Sequence, residues 1–141
     1  MDFSLPFKIC SSGLAAQRAK MDVITSNLAN VGTTRTPEGG PYKRKEVVLG
    51  SQSAVDDFDG RLQDALQTVE VKGIVEDKNG IKLIYDPAHP DADEKGYVAM
   101  PNISVISEMV EMITVSRAYE ACVTAFDATK NMTLKTLDIG K

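Results

Sequence analysis

Residues 5–33 read LPFKICSSGLAAQRAKMDVITSNLANVGT, and the fold turns on how this run is read. Apolar side chains recur in alternating steps of three and four, at Phe7, Cys10, Leu14, Met21, Ile24, Leu28 and Val31, with Gln17 the single break. That spacing lines one side of a helix. Ser4 can cap it, Pro6 suits its first turn, and Gly32 suits the left-handed position that closes many helices. The run therefore predicts a helix from about residue 5 to about residue 31. Its end is unusual, because the amides Asn27 and Asn30 lie one turn apart where an apolar stripe should finish. Two uses suit them: capping the carbonyls that lose their helical partners there, or a hydrogen bond to a neighbouring molecule that fixes register where a smooth apolar seam cannot.

The other end of the chain repeats the pattern at greater length. Val105, Met109, Met112, Ser116, Tyr119, Val123, Phe126, Lys130, Thr133 and Leu137 keep the three-four alternation, with a second apolar row at Ile106, Val110 and Ile113. Pro101 precedes this segment, Asn102 or Ser104 can cap it, and Gly140 follows it. Thirty-odd helical residues make a rod of roughly 50 Å. Between the two helices the chemistry changes. After the turn-rich TRTPEGGPY at 34–42 come short β-prone runs, EVVL at 46–49, VEVKGIVE at 69–76, IKLIY at 81–85 and GYVAM at 96–100. The second and third are joined by DKNG, whose Asn79-Gly80 signals a hairpin. SQSAVDDFDGRLQDALQT at 51–68 is polar and reads as a loop or a strained short helix.

The expected fold is α+β: long N- and C-terminal helices paired as an antiparallel coiled coil, with a small β-rich domain inserted between them. The expected divisions are a helical segment over 1–35, a β-rich insert with extended loops over 36–100, and a long helix over 101–141. With ends matched, Cys10 would face residues near 134. An apolar stripe of this kind is most often ordinary core. Here the strand-like middle is too small to cover both helices along their length, so the uncovered rows point to helices of other subunits.

Composition excludes several functions. A net charge of −4 with acids and bases interspersed offers no field for a nucleic-acid backbone, and Lys43-Arg44-Lys45 is too short a cluster to change that. One histidine and two widely separated cysteines argue against a zinc site or a disulfide framework. MDFSLPFKIC lacks the basic start and unbroken apolar core of a secretory signal. No window approaches the roughly 20 apolar residues of a membrane span. DPAHPDADEKGYV at 86–98 is the one segment that looks like chemistry. Asp91, Asp93 and Gly96 fall at the first, third and sixth places of a calcium loop, but Lys95 takes the fifth and Asn102 the twelfth, where oxygen ligands belong. His89, between two prolines, has no visible nucleophile partner and reads as part of a rigid turn. No cofactor and no catalytic residue is expected. The competing reading is a free globular module, calcium-binding or otherwise, with its helices packed internally.

SGLAAQRAKMDVITSNLANVGTTRTPEGGPYKRK at 12–45 resembles the N-terminal signature of bacterial flagellar rod and hook proteins. In that family Asn-x-Ala-Asn at the helix end is followed by Thr-Pro-Gly-Tyr and a basic residue. The matches are Asn27, Ala29, Asn30, Thr36, Pro37, Tyr42, Lys43 and Arg44, and the extra Glu38-Gly39-Gly40-Pro41 departs from the short form. The longer form, together with DPAHPDADEKGYVAMPNISVISEMVEMI at 86–113 and SRAYEACVTAFDATKNMTLKTLDIGK at 116–141, is similar to the proximal-rod branch of the family. The resemblance covers 12–50 and 84–141.

It implies an axial structural protein of the flagellum basal body, exported without a cleaved signal by the flagellar type III apparatus. It implies assembly through the terminal helices, with copies of itself and with other flagellar rod proteins, into a hollow rod in the periplasmic space. That rod is fixed to the membrane ring at its base and transmits torque for motility. The residues expected to carry assembly are Leu14, Met21, Ile24, Asn27, Leu28, Asn30 and Val31 of the first helix, and Met109, Met112, Ile113, Tyr119, Val123, Phe126 and Leu137 of the second.

Overall fold

A computed structural model describes residues 4–53, 66–77 and 80–139. Helix α1 spans Ser4–Ala29 and helix α2 spans Val105–Ile139. Between them lie strands β1 (Lys45–Ser53), β2 (Gln67–Glu76), β3 (Ile81–Tyr85) and β4 (Tyr97–Pro101). The α+β architecture expected from the apolar spacing is the one observed: two long helices, with a small β region between them in sequence.

The helices run antiparallel. Phe7 meets Phe126 edge to face, with ring centroids 5.0 Å apart. A methyl group on Gly13 would lie 3.5 Å from Cys122 Sγ, and Asn27 bonds Glu108. This register corrects the matched-ends expectation. Cys10 sits between Phe7 and Gly13 and so lies level with about residues 122–126, not 134. The helices are aligned at the end near the strands. From about residue 131, α2 therefore continues past the described start of α1. Cys10 and Cys122 are both half-buried free thiols.

Helix ends follow local hydrogen bonding. Ser104 caps α2, its Oγ accepting from Ser107 N at 3.4 Å. At the end of α1 the expected closure at Gly32 does not occur, and Gly32 is not among the left-handed glycines. Instead the Asn30 side chain donates to Ser26 O at 2.9 Å and accepts from Thr33 Oγ1, which closes the helix two residues early. Past it, Thr36 N donates to Gly40 O and Gly39 N to Thr36 O, with Gly39 and Gly40 at positive φ. The extra Glu38–Pro41 is thereby pinched off as a tight turn, and Tyr42 N still reaches Thr33 O at 3.1 Å.

Two separate two-stranded sheets form, β1 with β2 and β3 with β4, both antiparallel. The β2–β3 hairpin expected from Asn79-Gly80 is not formed. β2 ends where Asp77 N donates to Arg44 O, and Gly80 O accepts from Asn102 N, so the chain passes from one sheet to the other. Gly80 N still donates to Asp77 O at 3.3 Å, so a turn closes there, but its two ends are held by Arg44 and Asn102 and the strands on either side pair elsewhere. The β1–β2 ribbon folds back along α1, from Lys45 beside Asn27 to Val69, whose N–H donates to Ser12 Oγ at 3.3 Å. Its register shifts between Val48 and Leu49, leaving Lys72 as the extra residue of a bulge. The stem of the exposed Lys72 side chain lies across the space beside Gly50. Most of the 51–68 stretch read as loop or short helix lies outside the described residues; Ser51–Ser53 and Gln67–Thr68 belong to the ribbon.

The 86–96 loop closes on itself and on the segment after α1. Asp86 N donates to Gly96 O at 2.9 Å, and Gly96 N to Asp93 O at 2.8 Å. Gly96 has φ +78°, and a Cβ there would lie 2.9 Å from Tyr85 Cε2, in the ring that meets Tyr97 edge to face. Gly96→Ala is therefore expected to destabilise the protein by about 1–2 kcal/mol, from left-handed strain plus displacement of the tyrosine. Thermal unfolding followed by circular dichroism measures it, and an unchanged midpoint would sink the prediction.

Candidate functional site: a polar knot and two outward stripes

The core where the helices meet the strands is small: Ala16, Val23, Ile24, Tyr42, Val98 and Val115 are its buried apolar members. Two polar side chains are buried as deeply, Asn27 and Glu108, each 1% exposed. They are joined. Asn27 Nδ2 donates to Glu108 Oε2 at 3.1 Å and to Lys45 O at 2.9 Å. Its Oδ1 accepts from Lys45 N at 3.0 Å and from Tyr42 Oη at 3.2 Å. Every hydrogen-bonding position of this amide is thus occupied within the chain. On the far side of Glu108, Arg44 Nε donates to Oε1 at 2.7 Å, while its other nitrogens lie 3.4 Å from Glu111 and 3.8 Å from Glu46.

Asn27 from α1, Tyr42 and Arg44 from the loop and Glu108 from α2 therefore meet in a satisfied network, which is the condition for burying a carboxylate at all. The Arg44 pKa is raised, first by its hydrogen bond to Glu108, then by the charges of Glu108, Glu111 and Glu46, against an opposing effect of burial. The guanidinium is therefore protonated in the folded and unfolded chain alike at neutral pH. Its contribution is fully present there and is lost only as pH rises through the strongly alkaline range.

The amide pair thus divides its work. Asn30 does the capping; Asn27 ties α1 to β1 and α2 rather than capping its own helix. Arg44 and Tyr42 were legible as matches to a motif but not as partners of a buried acid. Glu108 gave no signal beyond being one acid in the apolar run VISEMVEMI at 105–113.

Glu108 also changes which side of α2 faces inward. The half-buried and buried positions are Glu108, Met112, Val115, Ser116, Ala118, Cys122, Phe126, Thr129 and Thr133. The seam expected from the apolar spacing lies one residue on at alternate positions, and the structure corrects it at Met109, Val123 and Lys130, while Ser116 is half-buried beside Val115. Met112 and Phe126 are half-buried against α1, whereas Met109, Ile113, Tyr119, Val123 and Leu137 are exposed. On α1, Ile24 and Asn27 are buried, and Leu14, Met21, Leu28, Asn30 and Val31 are half-buried.

Two apolar rows are consequently left outside on α2. One lies along the flank, through Val105 at its start and Tyr119, Val123, Leu134 and Leu137 in its second half. The other is confined to the end near the strands, with Ile106 (77% exposed), Met109, Val110 and Ile113. It then gives way to Arg117, Glu120, Thr124 and Asp127. Among the described residues no group of His, Cys, Asp and Glu gathers as a metal site. The loop acid once considered for calcium, Asp91, accepts instead from Thr34 Oγ1 at 2.8 Å, and His89 Nδ1 accepts from Asp91 N within its own turn. No described helix is long and apolar enough to cross a membrane.

Comparison with known proteins matches these elements. A family model described as flagella basal body rod protein matches residues 7–35, and one described as flagellar basal body rod FlgEFG protein C-terminal matches 94–139. The chain is 46% identical to flagellar basal-body rod protein FlgC of Borreliella burgdorferi over 134 residues, 88% of each chain. It belongs to the FlgC family of flagellar basal-body rod proteins. FlgC of Bacillus subtilis is 44% identical over 94% of this chain and 95% of its own, and FlgC of Salmonella typhimurium 39% over 96% of each. Like the rest of the FlgC family, this chain is a structural subunit of the basal-body rod and not an enzyme, and it assembles with other rod components. The two family matches fall on α1 with its following turn and on β4 with α2, so they hold both halves of the Asn27–Glu108 contact. The β1–β2 ribbon lies outside them.

Proposed function

We propose that this subunit sits in the proximal part of the rod and packs there through the flank of α2, against helices of its own copies and of other rod proteins. The single observation that carries the reading is the flank row Val105, Tyr119, Val123, Leu134 and Leu137, exposed on a helix whose adjoining side is already committed to α1. An isolated soluble domain seldom leaves such a row open, and a long helix with two apolar sides is the usual member of a larger bundle. Leu14, Met21, Leu28 and Val31 of α1, each half-buried, extend this surface. Ile24, Asn27, Met112 and Phe126 support it from within, and Met109 and Ile113 add the second row.

The division into 1–35, 36–100 and 101–141 fits this use, with the terminal parts assembling and the insert holding them in register. In the same reading the chain leaves the cytoplasm through the flagellar type III apparatus without a cleaved signal. It joins a hollow periplasmic rod seated on the membrane ring, and passes torque along that rod. Its chemistry is that of packing, with no cofactor.

Limited trypsin digestion of the purified chain tests the reading. The first cuts are expected at Lys130 and Lys135, in the turns of α2 that run past α1, because helix without a partner frays. Arg44, held by three acids, is expected to resist. In assembled rods the two lysines should become protected. Early cutting at Arg44, or resistance of Lys130 and Lys135 in the free monomer, would count against it.

A further inference from the structure

Two three-four stripes of α2 compete for the same place against α1. By spacing both pass through Met112, Tyr119, Phe126 and Thr133, and they differ at four positions: Glu108, Val115, Cys122 and Thr129 in one, Met109, Ser116, Val123 and Lys130 in the other. In the observed orientation Tyr119 lies exposed at the edge and Ser116 is half-buried beside Val115. A turn of α2 about its own axis by roughly 50°, half of one residue's advance, exchanges them. Their apolar content is nearly equal. Val115 against Ser116 favours the first, Cys122 against Val123 favours neither strongly, and Lys130 in the second can reach water past the end of α1.

The difference that remains is Glu108 against Met109. By burial alone the methionine belongs inside and the acid outside, yet Glu108 is 1% exposed and Met109 is 53% exposed. The groups that face Glu108 account for this: the Asn27 amide from α1 and the Arg44 guanidinium from the loop, each hydrogen-bonded to one of its two oxygens.

We propose that the Asn27–Arg44–Glu108 knot is a rotational selector, which holds α2 with its Glu108 stripe against α1 and so keeps Met109 and Val123 on the outside. Without it α2 turns until Met109 and Val123 pack on α1, and the flank row is buried within the subunit while Ile106, Val110 and Ile113 stay outside. The inference concerns the free subunit and does not depend on what covers those rows in the rod.

The two stripes place cysteine and valine side by side, at 122 and 123, so thiol reactivity reads the rotation. In a Cys10→Ser background, the N-ethylmaleimide reaction of native Cys122 is compared with that of V123C carrying Cys122→Ser. With the knot intact, the thiol at 123 is expected to react several-fold faster. In N27L/R44M the order reverses. Because that variant strains the fold, a second pair removes the conflict from α2 itself. E108M puts methionine in both stripes and brings the two rates together, and E108M/M109E restores the native order with no knot present. An unchanged native order in E108M, with helix content retained, would overturn the selector. So would a rate ratio in E108M/M109E no different from that of E108M.

Discussion

Asn27→Ala is expected to lower the unfolding free energy by about 3 kcal/mol. The methyl group removes all four bonds of an amide that is 1% exposed. Lys45 N–H and C=O then lose their partners at the first residue of β1, and one oxygen of Glu108 loses a donor. A buried polar group left unpaired costs about 1–3 kcal/mol. Tyr42 is spared part of this cost, because its hydroxyl also lies 3.1 Å from Ser26 Oγ. Against a typical total of about 5–15 kcal/mol such a loss is large, and urea unfolding at neutral pH measures it. A change below about 1 kcal/mol, the size of one ordinary hydrogen bond, would mean that the network is not held dry.

Asn27→Asp is the sharper test. It replaces the Nδ2 donor with a second carboxylate facing Glu108. Two facing acids in one dry site share a proton, which the folded variant then binds more readily than the unfolded chain. The sign follows: the variant regains stability as pH falls and loses it as pH rises, the opposite of an ordinary paired carboxylate.

Val123→Asp, alone or with Tyr119→Asp, is expected to abolish rod assembly while leaving the subunit folded. Both side chains are more than one-third exposed, and exposed substitutions of this kind usually change stability by less than about 0.5 kcal/mol. Buried between subunits without a partner, the new charge costs several kcal/mol. Each 1.4 kcal/mol is about tenfold in affinity, so association should fall by two orders of magnitude or more. Ala128→Asp, also exposed but on the side of α2 that carries Arg117, Thr124 and Asn131, is the control and should assemble. Swimming motility and electron microscopy of basal bodies report the outcome. Motile cells carrying Val123→Asp would show that the flank of α2 faces solvent in the rod.

How much of this was legible depended on how local each interaction is. The α1 spacing gave the helix and nearly its end, and Ser104 gave the start of α2, because caps and period are set within one or two turns. The β-prone runs at 46–49, 69–76, 81–85 and 96–100 all became strands. Which of them paired was not legible, since Asn79-Gly80 carries only a local preference while Asp77 and Gly80 are held by Arg44 and Asn102. Likewise Tyr42 and Arg44 appeared as motif residues, but their roles depend on Asn27 and Glu108, 81 positions apart in the chain. Asn30 could be read as a cap from its neighbours; Asn27 could not be separated from it, because both amides look the same over a single turn.

By itself, then, the amino-acid sequence determined two long amphipathic helices around a small β region, the absence of a charge pattern for nucleic acid, and the motifs of an axial flagellar subunit. All of these rest on periodicity, composition and short spacing. Only the tertiary structure decided the register of the helices, the pairing of the strands and the side of α2 that faces α1. Apolar spacing cannot choose between stripes that differ by half a residue's rotation. What distinguishes them is that a buried carboxylate must be hydrogen-bonded, and the two groups that bond Glu108 come from other elements of the fold.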